Sequence, residues 1–343
     1  MKTKILVTGG LGYIGSHTVV ALLRENYEPI IVDNLDNSRI GILDQIEAIA
    51  GVRPQFHYID LCNEGQLFQL LDADTSIQSV IHFAAHKAVG ESVSSPLKYY
   101  RNNFDSLLNI LKAYEGRKLN LVFSSSCTVY GQPDVLPVDE SAPVKKAESP
   151  YGNTKQVAEE ILQDVAAADS LKNIISLRYF NPVGAHASAL IGELPAGVPQ
   201  NLVPFVTQSA AGKRGAITVF GDDYDTPDGS CIRDYIHVVD LAEAHIAALQ
   251  LLEKGQDDKN YDVFNVGTGT GYSVLELIHA FEETTGVKLN YQIGPRRAGD
   301  IVQVWGDVTK SNNLLGWQAK LGIQEMMRSA WAWEQYLQTN EIK

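Results

Sequence analysis

Cysteine is scarce: Cys62, Cys127 and Cys231 are the only three in 343 residues, and none stands in a CxxC pair. An odd, scattered set argues against a disulfide framework and against a structural zinc site. Long apolar runs are lacking as well. No stretch approaches the roughly 18 residues of a membrane span, and the opening MKTKILVTGG reaches glycines too soon for a secretory signal. The expectation is a soluble protein of a reducing compartment, the cytoplasm. Basic residues are outnumbered, 28 Lys and Arg against 41 Asp and Glu, for a net charge of −13. A nucleic-acid-binding face needs a basic footprint, and the composition supplies none. Small anionic ligands are not excluded, provided that a few donors converge at one place. The eight histidines lack HExxH-type spacing, so no metal is expected.

What is present is ordinary for a globular protein, with 45% hydrophobic and 20% charged residues. At roughly 150 residues per domain the length corresponds to about two domains. Short apolar runs at Ile5–Val7, Pro29–Val32, Gln55–Ile59, Val80–Phe83, Leu119–Phe123 and Ile174–Leu177 read as buried strands. Helical stretches at Tyr13–Glu25, Gly41–Ile49, Tyr99–Tyr114 and Gln156–Val165 fall between or after them. Strands alternating with longer helices predict an α/β fold with a doubly wound parallel sheet. After Tyr179 the texture becomes rich in proline and glycine up to Gln200, and Asp222–Ser230 is a second turn-rich stretch. Loops of such length are functional or disordered. The remainder, with shorter elements, reads as a smaller mixed α/β lobe.

The strongest local signal is Thr8-Gly9-Gly10-Leu11-Gly12-Tyr13-Ile14-Gly15, in which Gly9, Gly12 and Gly15 follow a strand and open a helix. Glycines there permit a tight turn and let backbone approach a pyrophosphate, which the helix N-terminus then holds. The next strand ends in Asp33, whose carboxylate suits ribose hydroxyls and would repel the extra phosphate of NADP, so NAD is the cofactor expected. Asp60 at the third strand end is placed to meet an adenine. Phe83-Ala84-Ala85 ends the fourth strand with residues small enough for a cofactor to pass. Asn102 and Asn103 are read as opening the next helix, where a capping role competes with a ligand role.

Tyr151 and Lys155 stand four apart and so share a helix face. A free phenol has a pKa near 10; a nearby ammonium and a positive nicotinamide ring would bring it toward the working range. Ser124-Ser125-Ser126-Cys127-Thr128 puts hydroxyls at the end of the fifth strand, within reach of a substrate hydroxyl. A second glycine cluster, Gly267-Thr268-Gly269-Thr270-Gly271, is read as a decoy. Tyr272 interrupts its pattern, and Ser273 with Glu276 forms a capping box for the following helix.

With these residues in place, the chain resembles the extended short-chain dehydrogenase/reductase family and, within it, the UDP-sugar 4-epimerases. The resemblance is carried by TGGLGYIGSHT, VDNLDNS, HFAAHKAVGESV, YYRNN, SSSCTVYG, SPYGNTK, RYFNPVGAH, NLVPF, RDYIHVVDLA and RRAGD, in one register to about residue 307. It implies a Rossmann-type NAD-binding domain at 1–180 and a UDP-sugar lobe made mainly of 181–343, with some segments returning to the first domain. It implies interconversion of UDP-glucose and UDP-galactose through a transient 4-keto sugar, with Tyr151 as proton acceptor, Ser126 assisting and Lys155 tuning Tyr151. Cofactor contacts carried over with the motifs are Gly9, Gly12, Tyr13, Ile14, Gly15, Asp33, Asn34, Asn37, Ser38, Asp60, Leu61, Phe83, Ala84, Ala85, Lys87, Asn102, Ser126, Tyr151, Lys155 and Phe180. Substrate contacts are Lys87, Ser126, Tyr151, Tyr179 and Asn181, then Asn201, Leu202, Thr218, Val219, Phe220, Arg233, Arg297, Asp300 and Val304. Of Arg296 and Arg297 only one is expected to touch the ligand, and a local pair with Asp234 competes for Arg233.

One departure bears on substrate range. Val304 stands before Trp305 where members strict for unmodified sugars carry a bulky tyrosine, so UDP-N-acetylated sugars become candidate substrates. Two other readings compete: a nucleotide-sugar 4,6-dehydratase and a non-catalytic NAD-binding regulator. The first needs an Asp-Glu pair where Cys127 and Thr128 stand, and the second predicts a broken Tyr/Lys pair. The resemblance also implies a homodimer formed by the helices at Tyr99–Tyr114 and Tyr151–Val165.

Overall fold

The computed structural model describes residues 2–255, 259–297 and 300–343. Strand and helix alternate from the start: β1 (Lys4–Thr8), α1 (Tyr13–Arg24), β2 (Glu28–Asp33), α2 (Ile42–Ala50), β3 (Gln55–Tyr58), α3 (Glu64–Ala73) and β4 (Ser79–His82). The pattern continues through α4 (Val89–Ser94), α5 (Pro96–Ala113), β5 (Leu119–Ser124), α6 (Pro150–Ala168) and β6 (Lys172–Tyr179). Beyond them come β7 (Asn181–Val183), α7 (Leu202–Ala210), β8 (Ile217–Phe220), β9 (Ile232–His237), α8 (Val238–Lys254) and β10 (Tyr261–Val266). The chain closes with β11 (Gly271–Ser273), α9 (Val274–Thr285), β12 (Tyr291–Gly294), β13 (Gln303–Val304) and α10 (Ile323–Thr339).

Seven strands form one sheet in the order β10-β6-β5-β4-β1-β2-β3. Every neighbouring pair in it is parallel. Helices cover both faces, so the central strands are apolar throughout: Ile5, Leu6 and Val7 of β1 and Leu121 and Val122 of β5 are fully buried. The order reverses between β1 and β4, and an open α/β sheet binds its ligand at such a point, beyond the carboxyl ends of the strands. The expected doubly wound sheet is therefore present. A smaller mixed sheet, β11-β9-β13 with β7 beside β9, and the parallel pair β8 and β12 pack around a second core of Val206, Leu277, Phe281 and Met326.

Three sequence readings need correction. Residues Glu64–Ala73 form a helix that the apolar pattern did not single out; Asn63 starts it by accepting from the Gly65 amide. Asn102 and Asn103 do not open a helix. They lie inside α5, which begins at Pro96, because a proline in the first turn costs no hydrogen bond and its fixed φ favours helix entry. The helix carrying Tyr151 and Lys155 begins at Pro150 rather than Gln156, with the Ser149 hydroxyl accepting from the Gly152 amide at 3.1 Å. That early start puts Tyr151 in the first turn of α6, at the mouth of the crevice.

Candidate active site

The β1–α1 turn is built by exclusion of side chains. Gly9 has φ +69°, and a Cβ there would meet the Ala84 amide at 2.9 Å. At Gly15 a Cβ would lie 2.2 Å from the Gly9 carbonyl oxygen. Gly12 caps α1 with no side-chain hydrogen bond, and the first turn carries no acid. Its first amides therefore have no side-chain partner, and an uncapped helix N-terminus is the arrangement that receives a phosphate. Asp33, at the end of β2, is held beside it: its carboxylate accepts from the amides of Leu11 at 3.1 Å and Leu35 at 2.9 Å and from the Ser38 hydroxyl at 2.9 Å. The residues present fit a dinucleotide.

Other candidate cofactor contacts are distributed around this turn. Asn34 and Asn37 follow Asp33, with Asn37 exposed. Asp60 is exposed, its carboxylate accepting from the Cys62 amide, while Leu61 is buried. Phe83, Ala84 and Ala85 extend β4 past the Gly9 turn. Asn102 donates to the Asn103 side chain at 3.0 Å, and Asn103 bridges the His86 backbone to Thr154 of α6. Tyr13 donates to the Gly184 carbonyl at 2.6 Å, and the Lys87 ammonium stands 5.8 Å from its ring centre. Ile14 is buried in the α1 core.

Strand register brings the chemical residues to the same end of the sheet. Thr8 is level with His82, His82 with Phe123, and Ser124 with Leu177, so β1, β4, β5 and β6 finish together. The Lys155 ammonium donates to the Ser124 carbonyl at 2.8 Å and lies 6.0 Å from the centre of the Tyr151 ring. Ser126 caps the short turn Cys127–Tyr130 by accepting from the Thr128 amide. Burial dominates the electrostatics. It drives the Tyr151 phenol well above its usual range, with Tyr179 adding to the rise and the Ser126 hydroxyl pulling the other way. It pushes Lys155 down to about 8 against the opposing charge of Glu159. Without a cofactor, desolvation outweighs the ammonium at Tyr151, in keeping with the expectation that the nicotinamide ring adds its charge. A further positive charge, such as the nicotinamide ring carries, is what the geometry still requires.

The second lobe faces this end. Tyr179 closes β6, and Asn181 follows it in β7. Asn201 caps α7 and donates to Glu193 at 2.8 Å, and Leu202 packs on the second core. In β8 the side chains alternate: Val219 is buried, while Thr218 and Phe220 lie on the other face. Arg297 stacks over Phe220 at 5.4 Å and pairs with Asp300 at 2.6 Å; Arg296 pairs with Asp223 and covers Tyr224 instead. Ala298 and Gly299 of the RRAGD stretch lie outside the described residues. Val304 is paired with Arg233 across β13 and β9 and packs with Phe180, which is itself 1% exposed.

Among the described residues Arg233 makes no ion pair with Asp234; its Nη1 donates to the Ile232 carbonyl. Asp234 is occupied elsewhere. Its carboxylate, pushed up to about 6 by burial, accepts from the amides of Thr268 and Gly269 and from the Thr268 hydroxyl. The second glycine turn is therefore filled by a protein carboxylate, and both halves of the Ser273/Glu276 capping box form. One residue that sequence reasoning missed belongs near the site. Glu193 accepts from both Lys87 and Asn201, and its carbonyl accepts from the Trp333 indole at 2.9 Å. It sits in the irregular stretch after β7, where no periodicity marks it.

A parallel sheet with a glycine turn after its first strand, and serine, tyrosine and lysine at its strand ends, defines a short-chain dehydrogenase/reductase. The chain matches the family model described as GDP-mannose 4,6 dehydratase over residues 6–330. It is 48% identical to a UDP-glucose 4-epimerase of Dictyostelium discoideum, over 96% of this chain and 95% of the relative. Among solved structures, a UDP-glucose 4-epimerase from Stenotrophomonas maltophila with bound NAD and formylated UDP-arabinopyranose superposes with a TM-score of 0.93 at 47% identity, covering 98% of this chain and 99% of the other. One from Bifidobacterium longum in complex with NAD+ and UDP gives 0.92 at 46%, covering 97% and 98%. The chain belongs to the UDP-glucose 4-epimerase family within the extended short-chain dehydrogenases/reductases.

Gly15→Ala tests the glycine turn. A methyl 2.2 Å from a backbone oxygen must displace the turn, an overpacking cost of about 1–3 kcal/mol. Denaturant unfolding should register that loss, and after removal of NAD the melting temperature of the variant should no longer rise when NAD is returned, while that of the parent does. A variant as stable and as responsive to NAD as the parent would show that the close approach is not needed.

Proposed function

We propose that the chain interconverts UDP-glucose and UDP-galactose by inverting sugar carbon 4. The observation that carries the reading is the convergence of Tyr151, Ser126 and Lys155 on the strand ends beside the N-terminus of α1, which no side chain caps. NAD, when bound, supplies a reversible two-electron acceptor, so that carbon 4 passes through a ketone and no net redox change remains. The chain does the rest. Tyr151 accepts the proton of the 4-hydroxyl and returns it to the same oxygen once the ketone has turned over in the pocket, so that carbon 4 would regain its hydride on the opposite face. Ser126 orients that hydroxyl, and Lys155 holds the nicotinamide ribose. Asp33 takes the adenosine ribose and repels a 2′-phosphate. Arg233 and Arg297 are forks suited to the UDP diphosphate, with Asp300 released from Arg297 toward the ribose. The remaining contacts are those of the glycine turn, the β4 extension and β8 described above.

Cys127 and Thr128 leave the turn after β5 without a carboxylate, and burial pushes the Cys127 thiol up to about 12, so a dehydratase lacks its acid–base pair. Residues 1–180 form the cofactor domain in this reading and 181–343 mainly the sugar-nucleotide lobe, with 261–266 returned to the first. A homodimer through α5 and α6 is supported by apolar side chains left in water on this side: Leu97 is 81% and Val93 64% exposed. A cytoplasmic location accords with three free cysteines and with the lack, among the described residues, of a helix long and apolar enough to cross a membrane.

Purified protein incubated with UDP-galactose and no added NAD should form UDP-glucose. Tyr151→Phe should retain NAD and lose about 100-fold or more of that turnover, the upper part of what a general acid–base contributes. Unchanged turnover in the variant would remove Tyr151 from the mechanism. With Val304 leaving room beside carbon 2, the protein should also convert UDP-N-acetylgalactosamine. Brisk turnover of UDP-galactose with none of the acetylated sugar would overturn that extension.

A further inference from the structure

Behind the strand ends lies a buried group that the mechanism above does not use. Glu159 follows Lys155 by one helical turn on the same face of α6 and is 6% exposed. Its Oε1 accepts from the Ser125 hydroxyl at 2.5 Å, and Oε2 accepts from Arg178 Nη2 at 2.6 Å; Arg178 Nε lies 3.1 Å from both oxygens. Arg178 is itself 5% exposed and stacks over the Tyr130 ring at 4.8 Å. Its Nη1 has no partner among the described residues, so Glu159 and Tyr130 alone fix the guanidinium.

We propose that Glu159 is a positioning residue for the Tyr151/Lys155 pair, acting through Ser125, Arg178 and its own charge. Three features of the geometry carry this. Ser125 stands between Ser124, whose carbonyl Lys155 grips, and Ser126, which adjoins the Tyr151 phenol. Two successive turns of α6 therefore hold two successive residues of one strand end, Lys155 at Ser124 and Glu159 at Ser125. Arg178 immediately precedes Tyr179, which presses on Tyr151 from β6, so the ion pair also sets how far β6 stands from α6. Finally, the carboxylate is the nearby charge that opposes the desolvation of Lys155. The other titratable groups around Lys155 are Tyr151 on α6, His82 on β4, Cys127 in the turn after β5, and Arg178 and Tyr179 on β6. Neutral His82 and the neutral phenols and thiol add no negative charge, and Arg178 adds a positive one.

The inference rests on Tyr151 and Lys155 being the working pair, and its test separates the two. In protein carrying NAD and 13C-labelled lysine, the Lys155 resonance is titrated by NMR. Glu159→Gln should move its midpoint down by about one pH unit, since losing a nearby anion favours the neutral amine. Because one buried partner without the other strains the fold, the double variant Glu159→Gln/Arg178→Met is titrated beside it, and with both charges of the pair gone its midpoint should lie nearer the parent's than that of Glu159→Gln. Ser125→Ala keeps the ion pair. It should leave the Lys155 midpoint in place yet lower kcat on UDP-galactose about tenfold with little change in KM, because the strand end loses its tether. Glu159→Asp should restore the midpoint and not the rate. A Lys155 midpoint unmoved in Glu159→Gln, or full kcat in Ser125→Ala, would overturn the proposal. A parent protein that leaves UDP-galactose untouched would instead sink the epimerase reading, while the titration would still decide the role of Glu159.

Discussion

Desolvation governs the chemistry at the strand ends. Where β1, β4, β5 and β6 finish, burial drives the Tyr151 phenol upward, Lys155 down to about 8 and His82 down to about 3. Each group is pushed toward its neutral form. A neutral phenol is a poor base, so the chain alone is an incomplete catalyst. What completes it must bring positive charge into a dry site, where such a charge acts strongly.

The dryness follows from the architecture. A sheet whose strands are all parallel needs helices on both faces, and its strand ends open into a crevice at the point where the strand order reverses. At that point the β1–α1 turn admits no side chain, because Gly15 lies against the Gly9 carbonyl and Gly9 against Ala84. In the proposed function, the helix amides left uncapped there and the fork-shaped arginines of the second lobe concentrate donors for two diphosphates. An overall charge of −13 is thus compatible with anionic ligands: acidity belongs to the exterior, and a few cations are held where they are used.

Much of this was legible in the sequence because the physics is local. The glycine spacing, the acid closing β2 and the Tyr/Lys pair on one helix face each follow from short-range geometry, and the strand–helix alternation followed from apolar periodicity. What escaped was set by distant partners. Asp234 looked available to Arg233, yet it is consumed by the amides of Thr268 and Gly269, more than thirty residues away. Asn102 looked like a helix opening because the entry signal at Pro96 was passed over. Glu193 joins Lys87 to Asn201 only through tertiary folding. Glu159 stands one turn from Lys155 in plain view, but its meaning depends on Ser125 and Arg178, which the sequence does not place beside it.

In the proposed mechanism Tyr151 becomes a base only when charge from outside the chain enters the crevice. The direct measurement is the titration of the Tyr151 ring carbon by NMR in 13C-tyrosine-labelled protein, with NAD bound and with NAD removed. The cofactor-free phenol should not ionise below its ordinary pKa near 10, and its midpoint should be lower by about two units or more when NAD is present. The same midpoint in both states would contradict it.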